Sequence, residues 1–93
     1  MRRWASKKDL VHDELVMWFE RLGWQVIDTH NIGLGFPDVL GVHPDGAVVL
    51  VEFKTRNGRL TKAERRFHIG YQGPIEIVRT PADVMRIDRE YRV

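Results

Sequence analysis

The sequence predicts one small mixed α/β sandwich, three helices around four strands in the order α-β-β-β-α-β-α. Three observations carry this reading. Two β-rich apolar runs, Val39-Leu40-Gly41-Val42 and Ala47 to Phe53, flank His43-Pro44-Asp45-Gly46. Pro presets φ at the second position of a turn and Gly accepts positive φ at its end, so the pair reads as a hairpin. Thr61-Lys62-Ala63-Glu64 then opens a helix as a capping box. A helix between the third and fourth strands makes that connection a crossover and that strand pair parallel. Finally, 93 residues suffice for one domain, 1–93, and the chain has no repeat, low-complexity tract or linker.

The elements follow in order. Residues 1–8 are polar and basic and read as a loosely attached tail, apart from Trp4. The first helix runs from about Ser6 to Leu22, with Ser6 and Asp9 as a capping pair and Gly23 as its stop. Val11, Leu15, Trp18, Phe19 and Leu22 form its apolar stripe, and Glu14 borders that stripe. Trp24-Gln25-Val26-Ile27-Asp28 alternates as a strand, and 30–35 is a loop. Strands at about 36–43 and 47–54 follow. The second helix takes its narrow inner face from Ala63, Phe67 and Gly70. Ile75-Glu76-Ile77-Val78 is a short strand. Thr80-Pro81-Ala82-Asp83 starts the third helix with a Thr cap, Pro at the first helical position and an acid in the first turn. Arg86, Arg89 and Arg92 make a basic stripe near the C-terminus, available to nucleic acid, a partner subunit or water.

Composition excludes several classes. Hydrophobic residues are 43% and charged ones 30%, as in ordinary globular proteins. With no cysteine there is neither a disulfide nor a thiolate metal site. No apolar run approaches the roughly 20 residues that span a bilayer. The first five residues lack the apolar core of a secretory signal. The expectation is a reducing cytoplasm and no membrane partner. The net charge of +2 is unevenly spread: residues 9–53 hold eight acids against one base, residues 54–93 ten bases against five acids. The basic half suits a phosphate backbone.

The chemistry concentrates in the hairpin. Pairing His43 with Gly46 or with Ala47 places Asp38 across from Val51 or from Glu52. Either register gathers two carboxylates at one end, and Glu52 and Lys54, two apart on a strand, share a face. Like charges opposed on a sheet cost up to about 1 kcal/mol, so folding does not reward the arrangement. A divalent cation does: Mg²⁺ or Mn²⁺ takes one or two carboxylates and completes its shell with water and phosphate oxygens. Glu52 also interrupts an otherwise apolar central strand, and a buried carboxylate demands a partner; Lys54 alone, as a structural ion pair, is the plainer alternative. The pair His30-Asn31 suggests histidine-metal chemistry, but no second His lies at ligand spacing on a shared element. His12, His43 and His68 read as surface or loop residues.

The ordered set Gly35-Phe36-Pro37-Asp38, Val51-Glu52-Phe53-Lys54-Thr55, Gly58-Arg59-Leu60-Thr61 and Ile77-Val78-Arg79-Thr80 resembles the VRR-NUC type of PD-(D/E)XK nuclease, over about residues 9–87. The resemblance implies a restriction-endonuclease-like sandwich, a mixed sheet flanked by helices. It implies Asp38, Glu52 and the backbone carbonyl of Phe53 as Mg²⁺ or Mn²⁺ ligands, Lys54 as a catalytic residue, and products with a 5′ phosphate and a 3′ hydroxyl. A glutamate on the first helix of these nucleases reaches the metal, and Glu14 matches it, with Asp13 one step round. Similar sequences carry Gln where this one has Glu64. Glu64 is thus a departure at a further active-site position, although its capping role also accounts for it. Arg56, Arg59, Lys62, Arg65 and Arg66 are the candidate DNA-binding residues. Small members resemble structure-selective endonucleases, including Holliday-junction resolvases, and many are phage-encoded. The expectation is therefore an endodeoxyribonuclease on branched DNA in a host cytoplasm, acting as a homodimer with Trp4, Trp24 or the last helix at its interface. A non-catalytic DNA-binding module, or a subunit of a larger nuclease, is the alternative.

Overall fold

In the computed structural model, which describes the backbone of residues 7–93 and the side chains from His12 onward, seven elements follow the expected order. They are α1 (Lys7–Arg21), β1 (Gln25–Asp28), β2 (Val39–Val42), β3 (Val48–Phe53), α2 (Lys62–Gly70), β4 (Ile75–Val78) and α3 (Pro81–Glu90). The expectations for the basic tail, Trp4, the Ser6–Asp9 cap and the Val11 side chain lie outside the described residues.

One sheet runs β1-β2-β3-β4. β1–β2 and β2–β3 are antiparallel, and β3–β4 is parallel, as the helical crossover requires. The hairpin takes the Ala47 register: the His43 amide donates to the Ala47 carbonyl at 2.8 Å, and Val39 pairs with Val51. One more step sets Asp38 opposite Glu52.

Strand alternation then sorts the side chains. Val39, Val49, Val51, Phe53 and Val78 face Leu15, Val16 and Phe19 of α1 and Val84 and Ile87 of α3, and together they form the core. Asp38, Leu50, Glu52 and Lys54 occupy the opposite face. The buried stripe of α1 is His12, Leu15, Val16 and Phe19, the i, i+3, i+4, i+7 pattern of one helix face. Trp18 and Leu22 lie at its margin.

Three expectations need correction. Trp24 is not available as an interface residue. It is buried against Phe19 and His43, and its indole N–H donates to Asp88 Oδ1 at 2.9 Å. Burial works to raise the Asp88 pKa, but the hydrogen bonds from Trp24 and Arg92 outweigh it and hold the carboxyl below its ordinary range. His43 belongs to the same buried knot: its Nδ1 accepts from the Asp45 amide at 2.8 Å and its Nε2 meets the Asp88 carbonyl at 3.0 Å. Along the C-terminal basic stripe, Arg86 pairs with Glu90 at 2.9 Å and Arg92 with Asp88 at 2.9 Å. Finally, α2 has no buried inner face. Ala63 and Gly70 are exposed and Phe67 is half-buried between Phe36 and Tyr71.

Candidate active site

Lys54 lies on the opposite sheet face, just past the end of β3. Its Nζ lies 2.7 Å from Glu64 Oε1 and 3.6 Å from Glu52 Oε2. β3 supplies Glu52, Lys54 follows its last residue, the strand pairing sets Asp38 beside them, and α2 brings Glu64 across. The capping box that starts α2 aims Glu64: its amide donates to Thr61 Oγ1 at 3.1 Å and its Oε1 accepts from the Thr61 amide at 2.8 Å. The same oxygen thus serves both the helix cap and Lys54. Capping accounts for only part of what Glu64 does.

The loop between β3 and α2 is held from below. The Arg79 guanidinium donates to the carbonyls of Thr55 at 2.8 Å, Gly58 at 2.6 Å and Arg56 at 3.4 Å. Arg79 is itself set by the Asp83 carboxylate, which accepts from its backbone amide at 2.8 Å. The last motif of the sequence therefore positions the third.

Glu52 is the electrostatic anomaly. It is 1% exposed, and its Oε1 is fully buried and meets no N–H donor among the described residues. Burial, then the charges of Asp38 and Glu64 and a hydrogen bond to Asp38, push its pKa up to about 9, against the weaker pull of Lys54. At neutral pH Glu52 carries a proton. Burial works to lower the Lys54 pKa, but the Glu64 hydrogen bond and the surrounding carboxylates outweigh it, and the ammonium is held above its ordinary value. Glu64 shows the converse: burial raises, the Lys54 and Thr61 hydrogen bonds win, and the carboxyl sits below its usual range. Lys54 and Glu64 are a fully ionised pair beside a neutral acid.

Asp38 Oδ2 accepts from the Phe53 amide at 2.8 Å. The N–H and C=O of one strand residue point to the same edge, so the Phe53 carbonyl also opens towards β2 and Asp38. Among the described residues no group of three or more His, Asp or Glu side chains is placed to hold a metal ion. Two neighbouring carboxylates and a backbone carbonyl nevertheless fit a hard divalent cation that keeps water and phosphate in its remaining positions.

The structure does not bring Glu14 to this cluster. Because His12 and Val16 join the buried stripe, Glu14 lies roughly 200° around the helix from His12, at about 100° per residue, and is exposed. Its helix also packs on the sheet face opposite Glu52. Asp13 is half-buried. Arg56, Arg59, Lys62, Arg65 and Arg66 are all exposed.

Two histidines are more buried than the surface or loop positions that the sequence suggested. His12 is buried, its ring 5.2 Å from that of Phe53; the i, i+3, i+4, i+7 spacing with Leu15, Val16 and Phe19 is the signal that marks it. His68, one turn beyond Glu64, has a fully buried Nε2. Burial lowers its pKa and Lys54 adds to that, against Glu64.

No protein-family model and no curated protein sequence matches the chain. A solved structure described as a VRR_NUC domain matches it with a TM-score of 0.77 at 25% identity, over 95% of this chain and 100% of that one. The agreement covers nearly the whole chain and supports membership of the VRR-NUC family.

Proposed function

We propose that the chain is a metal-dependent endodeoxyribonuclease that hydrolyses phosphodiester bonds in branched DNA. The likeness to a VRR_NUC domain points to a nuclease. The observation that carries the finer reading is the gathering of Glu52, Asp38 and Glu64 around the single ammonium of Lys54. A structural ion pair alone leaves surplus carboxylates crowding one another, a cost that a divalent cation would offset.

Asp38, Glu52 and the Phe53 carbonyl would hold Mg²⁺ or Mn²⁺. When bound, such an ion supplies Lewis acidity for the phosphoryl group and favours the deprotonated form of water. The chain's own residues do the rest. The Phe53 amide fixes Asp38. Glu64 and the helix cap fix Lys54, whose ammonium faces the phosphate and stabilises charge developing on it. The preorganised pair costs no rearrangement during reaction. Water forms the new bond to phosphorus as the bond to the 3′ oxygen breaks, leaving a 5′ phosphate and a 3′ hydroxyl. Arg56, Arg59, Lys62, Arg65 and Arg66 neutralise backbone phosphates on either side. So small a domain reads shape and backbone rather than base sequence. A four-way junction cut symmetrically needs two sites, hence a homodimer on that substrate.

The test is a panel of end-labelled duplex, flap, splayed-arm and four-way-junction substrates in Mn²⁺, with and without chelator. Chelator-sensitive cleavage of branched forms is expected. Asp38→Ala, Glu52→Ala and Lys54→Ala are each expected to abolish it while circular dichroism still reports a folded chain. Retained activity in Asp38→Ala would refute the assignment, and chelator-resistant binding without cleavage would leave a non-catalytic module.

A further inference from the structure

Beside the active site lies an open hollow of about 330 Å³ lined by Leu34, Ala63, Arg66 and Phe67. Its walls come from the β1–β2 loop and from α2, the same two segments that supply Asp38 and Glu64. Leu34 forms one lip and is 94% exposed. It sits at the second position of the tight turn Gly33–Phe36, closed by the Phe36 amide on the Gly33 carbonyl at 3.0 Å. Leu34 and Gly35 have φ values of 57° and 80°, the double positive φ of a type I′ turn. That region favours Gly or Asn, and Leu is a poor occupant. An apolar side chain is thus displayed to water at a position where the backbone itself asks for a different residue. The loop does not sag: Thr29 closes it through its amide on the Asp38 carbonyl at 2.9 Å and its hydroxyl on the Pro37 carbonyl at 2.8 Å.

The charge around the hollow says what covers it. Arg66 lines it, and Lys62 precedes Arg66 by one helical turn. Neither these nor Arg59 and Arg65 pair with a carboxylate among the described residues, whereas Arg86 and Arg92 on α3 both do. An apolar hollow with an aromatic wall and a rim of uncommitted cations matches a nucleotide: a flat apolar base and an anionic backbone. A second copy of this chain would bring the same cations against themselves.

We propose that this hollow receives an unpaired nucleobase of the substrate, with Leu34 as a wedge at the branch point and Arg66 on the flanking phosphate. Apolar side chains of this kind enter between base steps in other DNA-bending proteins. Leu34 is four residues from Asp38, at most about 14 Å of extended chain. The base is thus within about four nucleotides of the scissile phosphate, at about 3.4 Å of rise each. The inference rests on the nuclease reading and makes branched DNA its preferred substrate for a physical reason: only an unpaired base fills the hollow without first being unstacked.

The test measures binding in chelator, so that it does not depend on cleavage. Fluorescence anisotropy compares splayed-arm DNA with a perfect duplex of the same length, for the full chain, Leu34→Asn and Arg66→Glu. Asn tolerates the left-handed turn, so Leu34→Asn keeps the fold. The full chain is expected to prefer the splayed arm, and Leu34→Asn to lose roughly tenfold of that preference, within the range of one stacked base. Arg66→Glu is expected to weaken binding to both DNAs. An unchanged preference in Leu34→Asn overturns the inference and leaves the nuclease reading standing. An unchanged preference together with a shift from dimer to monomer in sedimentation overturns it in favour of a contact between copies. A Leu34-dependent preference in a protein that never cleaves in Mn²⁺ supports the hollow and sinks the nuclease.

Discussion

The Lys54 ammonium is closer to Glu64, at 2.7 Å, than to Glu52 on its own strand, at 3.6 Å. A Glu-x-Lys motif on one strand thus works through a third residue from a helix. Glu64→Gln isolates this relationship. Gln at the third helical position keeps the capping box, so the melting temperature is expected to stay within about 4 °C, equivalent to less than about 1 kcal/mol in a domain this size. The charge facing Lys54 is gone, and its pKa should fall, as read by NMR of the lysine ammonium. Glu64→Ala loses the cap as well and should cost about 1 kcal/mol more. An unmoved Lys54 pKa in Glu64→Gln would show that the contact does not hold the charge.

Glu52 makes the metal-free protein sensitive to alkali. Its folded pKa is about 9 against an ordinary value of 4.5. Between those values the folded chain keeps a proton that the unfolded chain has released, so stability falls as pH rises. Glu52→Gln removes this slope. Its melting temperature relative to the parent is expected to rise steadily from pH 5 to pH 9 in chelator. Mn²⁺ must displace the same proton. Its stabilising effect on the parent should therefore grow over this interval and be absent in Glu52→Gln. A parent melting curve flat between pH 5 and pH 9 would contradict the buried neutral acid.

Arg79 offers a test away from the chemistry. Its three carbonyl contacts are charge-assisted, and hydrogen bonds of that kind are worth about 1.5–3 kcal/mol to stability. Arg79→Ala is expected to lose about that much and to expose Arg56 and Arg59 to trypsin. Early cleavage in this loop, before global unfolding, separates loop release from general destabilisation. Arg79→Lys keeps a charge but not the planar fork, and an intermediate rate is expected.

Much of this was legible in the sequence because it depends on local rules. The turn at Pro44-Asp45-Gly46 fixed the hairpin, alternation placed Glu52 with Lys54, and two capping boxes marked α2 and α3. What was not legible depends on which face of an element is buried. The apolar stripe expected of α1 passes through Trp18 and Leu22. His12 and Val16 rotate it, and Glu14 turns to solvent. A histidine is not counted as apolar in a pattern, yet here it packs on Phe53. Ala63, Phe67 and Gly70 gave α2 a plausible inner face, but the sheet face beneath it is occupied by charged groups, and α2 contributes Glu64 rather than a core. Trp24 followed a helix stop, and nothing local to it reveals the partner that buries it, Asp88, far along the chain.

Gly35 ties the two halves of the site together, and replacing it should part them. Its φ is 80°, and a Cβ there would meet the Ala63 carbonyl oxygen at 2.3 Å and its carbon at 2.4 Å. That oxygen is backbone at the start of α2 and cannot swing aside. Gly33 has almost the same φ, 79°, with nothing within 4 Å of a Cβ. Gly33→Ala therefore carries only the left-handed penalty, about 1–2 kcal/mol. Gly35→Ala carries that and the forced displacement of α2, about 1–3 kcal/mol more by comparison with overpacked cores. Moving α2 also withdraws Glu64 from Lys54, so Mn²⁺-dependent cleavage should fall at least tenfold in Gly35→Ala, while Gly33→Ala stays close to the parent once folded. The two variants are compared by denaturant unfolding and by cleavage under conditions where each is fully folded. Equal losses in both would mean that the turn, and not the close approach of the loop to α2, sets the position of Glu64.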